Sequence, residues 1–194
     1  MGGRRFFPPL SDEFAILDRP SMFYGWAEKN TRPQIPSNEK KRRNKLNGML
    51  AVDAVTGEEY LKLKEKSKTE DVSSYFAELV SACSSQGVKK LSVILDNNST
   101  HKHKMQAQLQ AHLSDLEIQD KIVVEFIHTP PYSPNFNLAE YIIHLLRLQF
   151  LHHLPLGITI QQIQQKLENY FQNYQLQSSE QIQNTIRYIC TLVQ

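Results

Sequence analysis

Five residues, Leu91-Ser92-Val93-Ile94-Leu95, stand between the cation pair Lys89-Lys90 and the polar turn Asp96-Asn97-Asn98. A short apolar run bounded in this way predicts a buried strand that ends in a polar loop. Helical patterns lie on both sides of it. Upstream, Thr69-Glu70-Asp71 opens a stretch with Val72, Tyr75, Phe76, Leu79, Val80 and Cys83 at three- and four-residue spacing, and Gly87 closes it. Downstream come a second helix over about 104–116, a β-rich run over 122–127 and the rigid loop Thr129-Pro130-Pro131-Tyr132-Ser133-Pro134. Asn137 can cap a third helix, with Leu138, Tyr141, Ile142, Leu145 and Leu148 on one stripe, running to about His153. Before all of these, the runs 46–55 and 59–63 flank a Gly57-containing turn and predict a hairpin. An antiparallel hairpin followed by strands alternating with helices predicts an α/β domain with a mixed sheet. Residues 156–194 carry two amphipathic patterns split near Ser178-Ser179, a helical extension to a domain spanning 1–155. Residues 19–45 read as irregular, with Trp26 as their candidate anchor.

Composition narrows the class. Hydrophobic residues at 40% and charged residues at 22% exclude collagen-like, low-complexity and wholly disordered chains. No stretch of 18 apolar residues occurs, since even 141–154 is broken by His144, Arg147, Gln149, His152 and His153, so no membrane span is expected. Two cysteines, Cys83 and Cys190, cannot build a disulfide framework, and a reducing, cytoplasmic setting is expected. The net charge of +2 is weak, but it is unevenly spread: residues 1–48 and 88–104 are basic and 49–87 acidic. The densest run, Lys40-Lys41-Arg42-Arg43, is either a phosphate-contacting loop or solvated surface.

Three acidic positions are chemical candidates, each with a plainer reading. Asp96 follows an apolar strand, where a carboxylate can project into a crevice or simply form a turn. Glu140 stands three residues after Asn137, a spacing that also makes a capping box. Asp12 and Glu13 could be the first turn of a helix. Spacing alone does not join them.

A resemblance does. Asp12-Glu13, Tyr24-Gly25-Trp26-Ala27, Asn47-Gly48-Met49-Leu50 with Thr56-Gly57, Leu95-Asp96-Asn97-Asn98-Ser99-Thr100-His101 and Pro130-Pro131-Tyr132-Ser133-Pro134-Asn135-Phe136-Asn137-Leu138-Ala139-Glu140 follow one another in an order similar to that of mariner-superfamily insertion-sequence transposases. The chain resembles their DDE catalytic domain over about residues 10–155, most specifically in the last block. The resemblance implies an RNase H-like, retroviral-integrase-like mixed sheet flanked by helices. It implies Asp12, Asp96 and Glu140 as catalytic residues and as ligands of Mg²⁺ or Mn²⁺, two ions in all, with 43 residues between Asp96 and Glu140. Carboxylates suit hard divalent cations, and a pair of ions serves in-line attack on a phosphodiester. The implied reaction is strand cleavage and strand transfer in DNA transposition, with transposon ends and target DNA as partners, in the cytoplasm at the nucleoid. His101, which matches a histidine of the family's Asp-Asn block, either orients the active-site loop or touches phosphate. His144 and Arg147 follow Glu140 on one helical stripe and could face DNA backbone or solvent. The resemblance also allows a homodimer.

Departures from the family pattern carry their own expectations. Leu138-Ala139 replaces Pro-Ile and Ile143 an aromatic residue, changes of packing that leave Glu140 in place. Phe6-Phe7-Pro8-Pro9-Leu10 replaces a smooth apolar strand before Asp12, and prolines cannot pair in a central strand, so a frayed strand and a displaced Asp12 are expected. Eleven residues before Asp12 are too few for the family's helix-turn-helix modules, which points to an upstream segment encoded separately and to weak, non-specific, salt-dependent DNA binding by this chain. The rival reading is a truncated, inactive nucleic-acid-binding remnant. A phosphatase would need an acid where Asn98 stands, and no zinc motif occurs among the histidines.

Overall fold

The computed structural model describes residues 10–19, 26–31, 44–96, 101, 103–130, 137–155 and 157–191. Strand β1 (Leu10–Leu17) is followed by the hairpin β2 (Lys45–Val52) and β3 (Glu59–Lys64), then by helix α1 (Thr69–Ser85), strand β4 (Lys90–Leu95), helix α2 (His103–Asp115) and strand β5 (Val123–His128). Helix α3 (Leu138–Leu146) runs into a π-helical turn, Arg147–Leu151, and helices α4 (Ile160–Asn173) and α5 (Ser179–Thr191) complete the chain. The strands form one mixed sheet in the order β3-β2-β1-β4-β5. β1 and β2 are antiparallel along their whole length, from Leu10 opposite Val52 to Leu17 opposite Lys45. β4 and β5 run parallel, and β1 joins β4 in parallel at Leu10 opposite Ile94.

The strand after the prolines therefore forms at once, in the sheet centre. Its buried apolar residues Leu10, Phe14 and Ile16 lie on both sides of Asp12, so the expected fraying does not occur. Alternation sorts its side chains between two cores. Leu10, Phe14 and Ile16 join α3, the π turn, α4 and α5 on one face. On the other face α1 and α2 cover Met49, Ala51, Leu91, Val93 and Leu95. Gly87, at φ +83°, ends α1 as expected, because the left-handed turn there suits a residue without Cβ.

Two local expectations are corrected. The third helix does not continue evenly to His153: its π turn inserts an extra residue, which buries both Phe150 and Leu151 and turns Leu148 outward. Trp26 is fully exposed and anchors nothing among the described residues. Cys190 is exposed, whereas Cys83 is buried. The helical extension is packed onto the hairpin. Ile163, Leu167, Ile182 and Ile189 share the core of β1 and α3, Gln183 donates to the Ala54 carbonyl at 2.6 Å, and Glu59 of β3 accepts the Leu176 N–H at 2.9 and 3.1 Å. Among the described residues no helix is long and apolar enough to cross a membrane.

Candidate active site

Asp12 is the third residue of β1, on the same side of the strand as Leu10 and Phe14, which is the side that α3 covers. The pairing of Leu10 with Ile94 puts Asp12 level with Asp96, two residues further along each strand. Asp96 lies just past the end of β4, so the two carboxylates stand beside each other where the sheet opens into loops. Helix α3 brings the third. Its N-cap Asn137 accepts the Ala139 N–H through Oδ1 at 3.1 Å, as expected of a cap. The same side chain turns its Nδ2 to the Ser11 carbonyl and to Asp12 Oδ2, both at 3.4 Å. One residue thus starts the helix and ties it to β1. Glu140 follows one turn into the helix, where its carboxyl is hydrogen-bonded with Asp12.

The electrostatics follow from this crowding. Burial, then the charge of Glu140 and its hydrogen bond, hold the Asp12 carboxyl well above the usual carboxylate range; the Glu13 N–H, 2.7 Å from Asp12 Oδ1, opposes the shift, and Asp96 adds to it. A carboxyl that burial and two neighbouring acids make costly to ionise marks a site that a cation would relieve.

Asp96 is held from behind. His101 Nδ1 lies 2.7 Å from its Oδ1, and His101 Nε2 lies 3.0 Å from Glu13 Oε1. Glu13 Oε2 accepts from Ser67 Oγ at 2.6 Å. His128 Nδ1 is 3.0 Å from the Asp96 carbonyl. Burial works against a charged His101, but its hydrogen bonds to Asp96 and Glu13 prevail and push its pKa up to about 9. At 2% exposure His101 has both ring nitrogens on carboxylates, within the protein rather than at its surface.

Sequence reasoning did not pick out Ser67, His128 or the second role of Asn137. Glu13 was visible only as the neighbour of Asp12. Its distance along the chain from His101 and Ser67 left no local signal. His144 is exposed and Arg147 half-buried, on the stripe of α3 that includes Glu140 and faces away from Leu138, Ile142 and Leu146. Lys40, Lys41, Arg42 and Arg43 lie outside the described residues.

As they stand, no three His, Cys, Asp or Glu side chains among the described residues form a metal cage, because Glu140 is paired with Asp12 and Asp96 with His101. The donor chemistry nonetheless fits a hard divalent cation: oxygen ligands only, with burial and the charge of Glu140 holding the Asp12 carboxyl well above the usual carboxylate range.

The family model of the DDE superfamily endonucleases matches residues 10–157. The chain belongs to this family. The match opens on the first residue of β1 and closes after the π turn, so Asp12, Asp96 and Glu140 fall within it and α4 and α5 beyond it. Among solved structures the chain is similar to the Mos1 transposase paired-end complex with left transposon end, at 14% identity and a TM-score of 0.62 over 92% of this chain and 51% of that one. The Mos1 Strand Transfer Complex gives 14% identity and 0.64 over 94% and 51%, and the Mos1 mariner paired end complex with Mn gives 14% and 0.64 over 94% and 52%. At such identities the likeness is one of fold, an RNase H-like mixed sheet flanked by helices. The chain spans about half the length of these Mos1 chains. No curated protein matches it.

Proposed function

We propose that this endonuclease-family chain is the catalytic domain of a mariner-type transposase, cutting DNA strands and joining them to a target. Asp12, Asp96 and Glu140 would hold two divalent ions, Mg²⁺ or Mn²⁺. The observation that carries the reading is the contact of Glu140 with Asp12, level with Asp96, at the open end of the sheet. Solved Mos1 complexes with Mn and with Mg support the choice of cation. A bound pair of ions would activate the attacking oxygen and stabilise the leaving one. The chain's own part is to hold that charge still. Asn137 braces Asp12 from the helix side, and the Glu13 N–H braces it from its own strand. His144 and Arg147, one and two turns beyond Glu140, take the phosphate backbone on the stripe that the core leaves open. The prolines, one of the two grounds for reading the chain as an inactive remnant, precede a strand that carries Asp12 in register.

The partners in this reading are transposon ends and target DNA, with a helix-turn-helix segment to read the ends, a homodimer as the working unit and the cytoplasm as the setting. The test is nicking of supercoiled DNA by the 194-residue chain with Mn²⁺, Mg²⁺ or a chelator. Nicking is expected with either metal and not with chelator, and Asp96→Asn or Glu140→Gln should lower it by about two orders of magnitude or more. Thermal stability without metal should stay level or rise in Glu140→Gln, which removes a charge from beside the buried Asp12, and should fall in Asp96→Asn, which takes a carboxylate from the buried His101. Nicking by Asp96→Asn at the unmutated rate overturns the assignment.

A further inference from the structure

Asp96 has a half-open side chain, 44% exposed, at the end of a strand. Left to itself, a carboxylate in that position samples several rotamers. Here it is the last member of a chain of contacts that begins 29 residues earlier, in the loop before α1: Ser67 Oγ to Glu13 Oε2, Glu13 Oε1 to His101 Nε2, and His101 Nδ1 to Asp96 Oδ1, at 2.6, 3.0 and 2.7 Å. Exposure falls sharply along it, to 17% at the Glu13 side chain and 3% at His101.

Adjacent acids at 12 and 13 invite the reading that both hold metal. Strand alternation argues otherwise. Asp12 lies on the α3 face of β1, and Glu13 on the opposite face, beside the start of α1, where Ser67 and His101 take both of its oxygens. We propose that Glu13 and His101 are positioning residues, with Glu13, anchored by Ser67, holding His101, and His101 fixing the carboxylate of Asp96 beside Asp12 for metal binding. This rests on the reading of Asp96 as a metal-holding carboxylate.

His101→Gln drops the contact to Asp96, so positioning predicts weaker metal binding. Glu13→Asp keeps the charge and loses the reach to His101, so charge alone predicts no change.

The measurement is Mn²⁺ binding to the 194-residue chain by calorimetry or by electron paramagnetic resonance of free Mn²⁺, with thermal unfolding without metal as the check on folding. His101→Gln and Glu13→Asp should each weaken binding roughly tenfold or more, as outer-sphere partners of metal ligands do. The double variant should be no weaker than His101→Gln, because Glu13 acts only through His101. Each single variant decides on its own if the other does not fold. Wild-type or tighter affinity in a folded His101→Gln or Glu13→Asp chain overturns the proposal, as do effects that multiply in the double variant. Asp96→Asn separates the two readings. If it weakens Mn²⁺ binding while Glu13→Asp does not, the positioning role alone falls. If the unmutated chain binds no Mn²⁺, the metal-site reading falls and the positioning role with it.

Discussion

Phe14 lays its ring across Gly48, its partner in the antiparallel register of β1 and β2. A Cβ at position 48 would collide with that ring, so the glycine is required by close approach within a flat, central part of the sheet. Phe14 lies two residues from Asp12, on the same face. Gly48→Ala should cost about 1–3 kcal/mol, the usual range for overpacking a filled core. Denaturant unfolding measures it, and Phe14→Leu in the same chain should recover part of the loss, since contacting residues are not additive. The site follows similar short-range logic. Asp12, Asp96 and Glu140 could be picked out through a family resemblance, but Asp12 and Glu13 in isolation looked equally like the start of a helix. What separates them is the strand's two-residue period, which sends one to α3 and the other to Ser67.

At the scale of elements, the strands β2 to β5 and the five helices were legible, because apolar runs of strand length and helical stripes alternate with Gly, Pro and Asn signals. β1 was harder to read, since prolines precede it in the sequence and two acids, Asp12 and Glu13, interrupt its apolar positions. The π turn was invisible, for it depends on Phe150 and Leu151 both reaching the core rather than on any local propensity. Nor did hydrophobic pattern reveal Glu59, which burial in the contact between β3 and the α4–α5 connection pushes up to about 7 even though the Leu176 and Gln177 N–H groups favour its charge. The folded chain therefore keeps a proton that the unfolded chain releases between its ordinary 4.5 and about 7. The contribution of this group to stability falls as pH rises through that window and is level above it. Glu59→Gln should flatten that slope. It should match the unmutated chain near pH 4 and exceed it by up to about 3 kcal/mol at pH 8, in unfolding curves taken across the range.

For the molecule as a whole, the extension of α4 and α5 belongs to the same core as the sheet. Ile182, fully buried, packs in the cluster that contains Leu10, Phe14 and Ile142, and the hairpin turn at Gly57 lies against it. Ile182→Ala should cost about 2–5 kcal/mol. It should lower one unfolding transition rather than split it in two, which calorimetry distinguishes. The consequence concerns where homology stops and where folding does. The family match closes at residue 157, but the hydrophobic cluster continues to Ile189. A recombinant fragment trimmed to the family boundary would keep Asp12, Asp96 and Glu140 and strip the cover from one face of the hairpin. The newly bared apolar surface is of the kind that sends a protein into inclusion bodies.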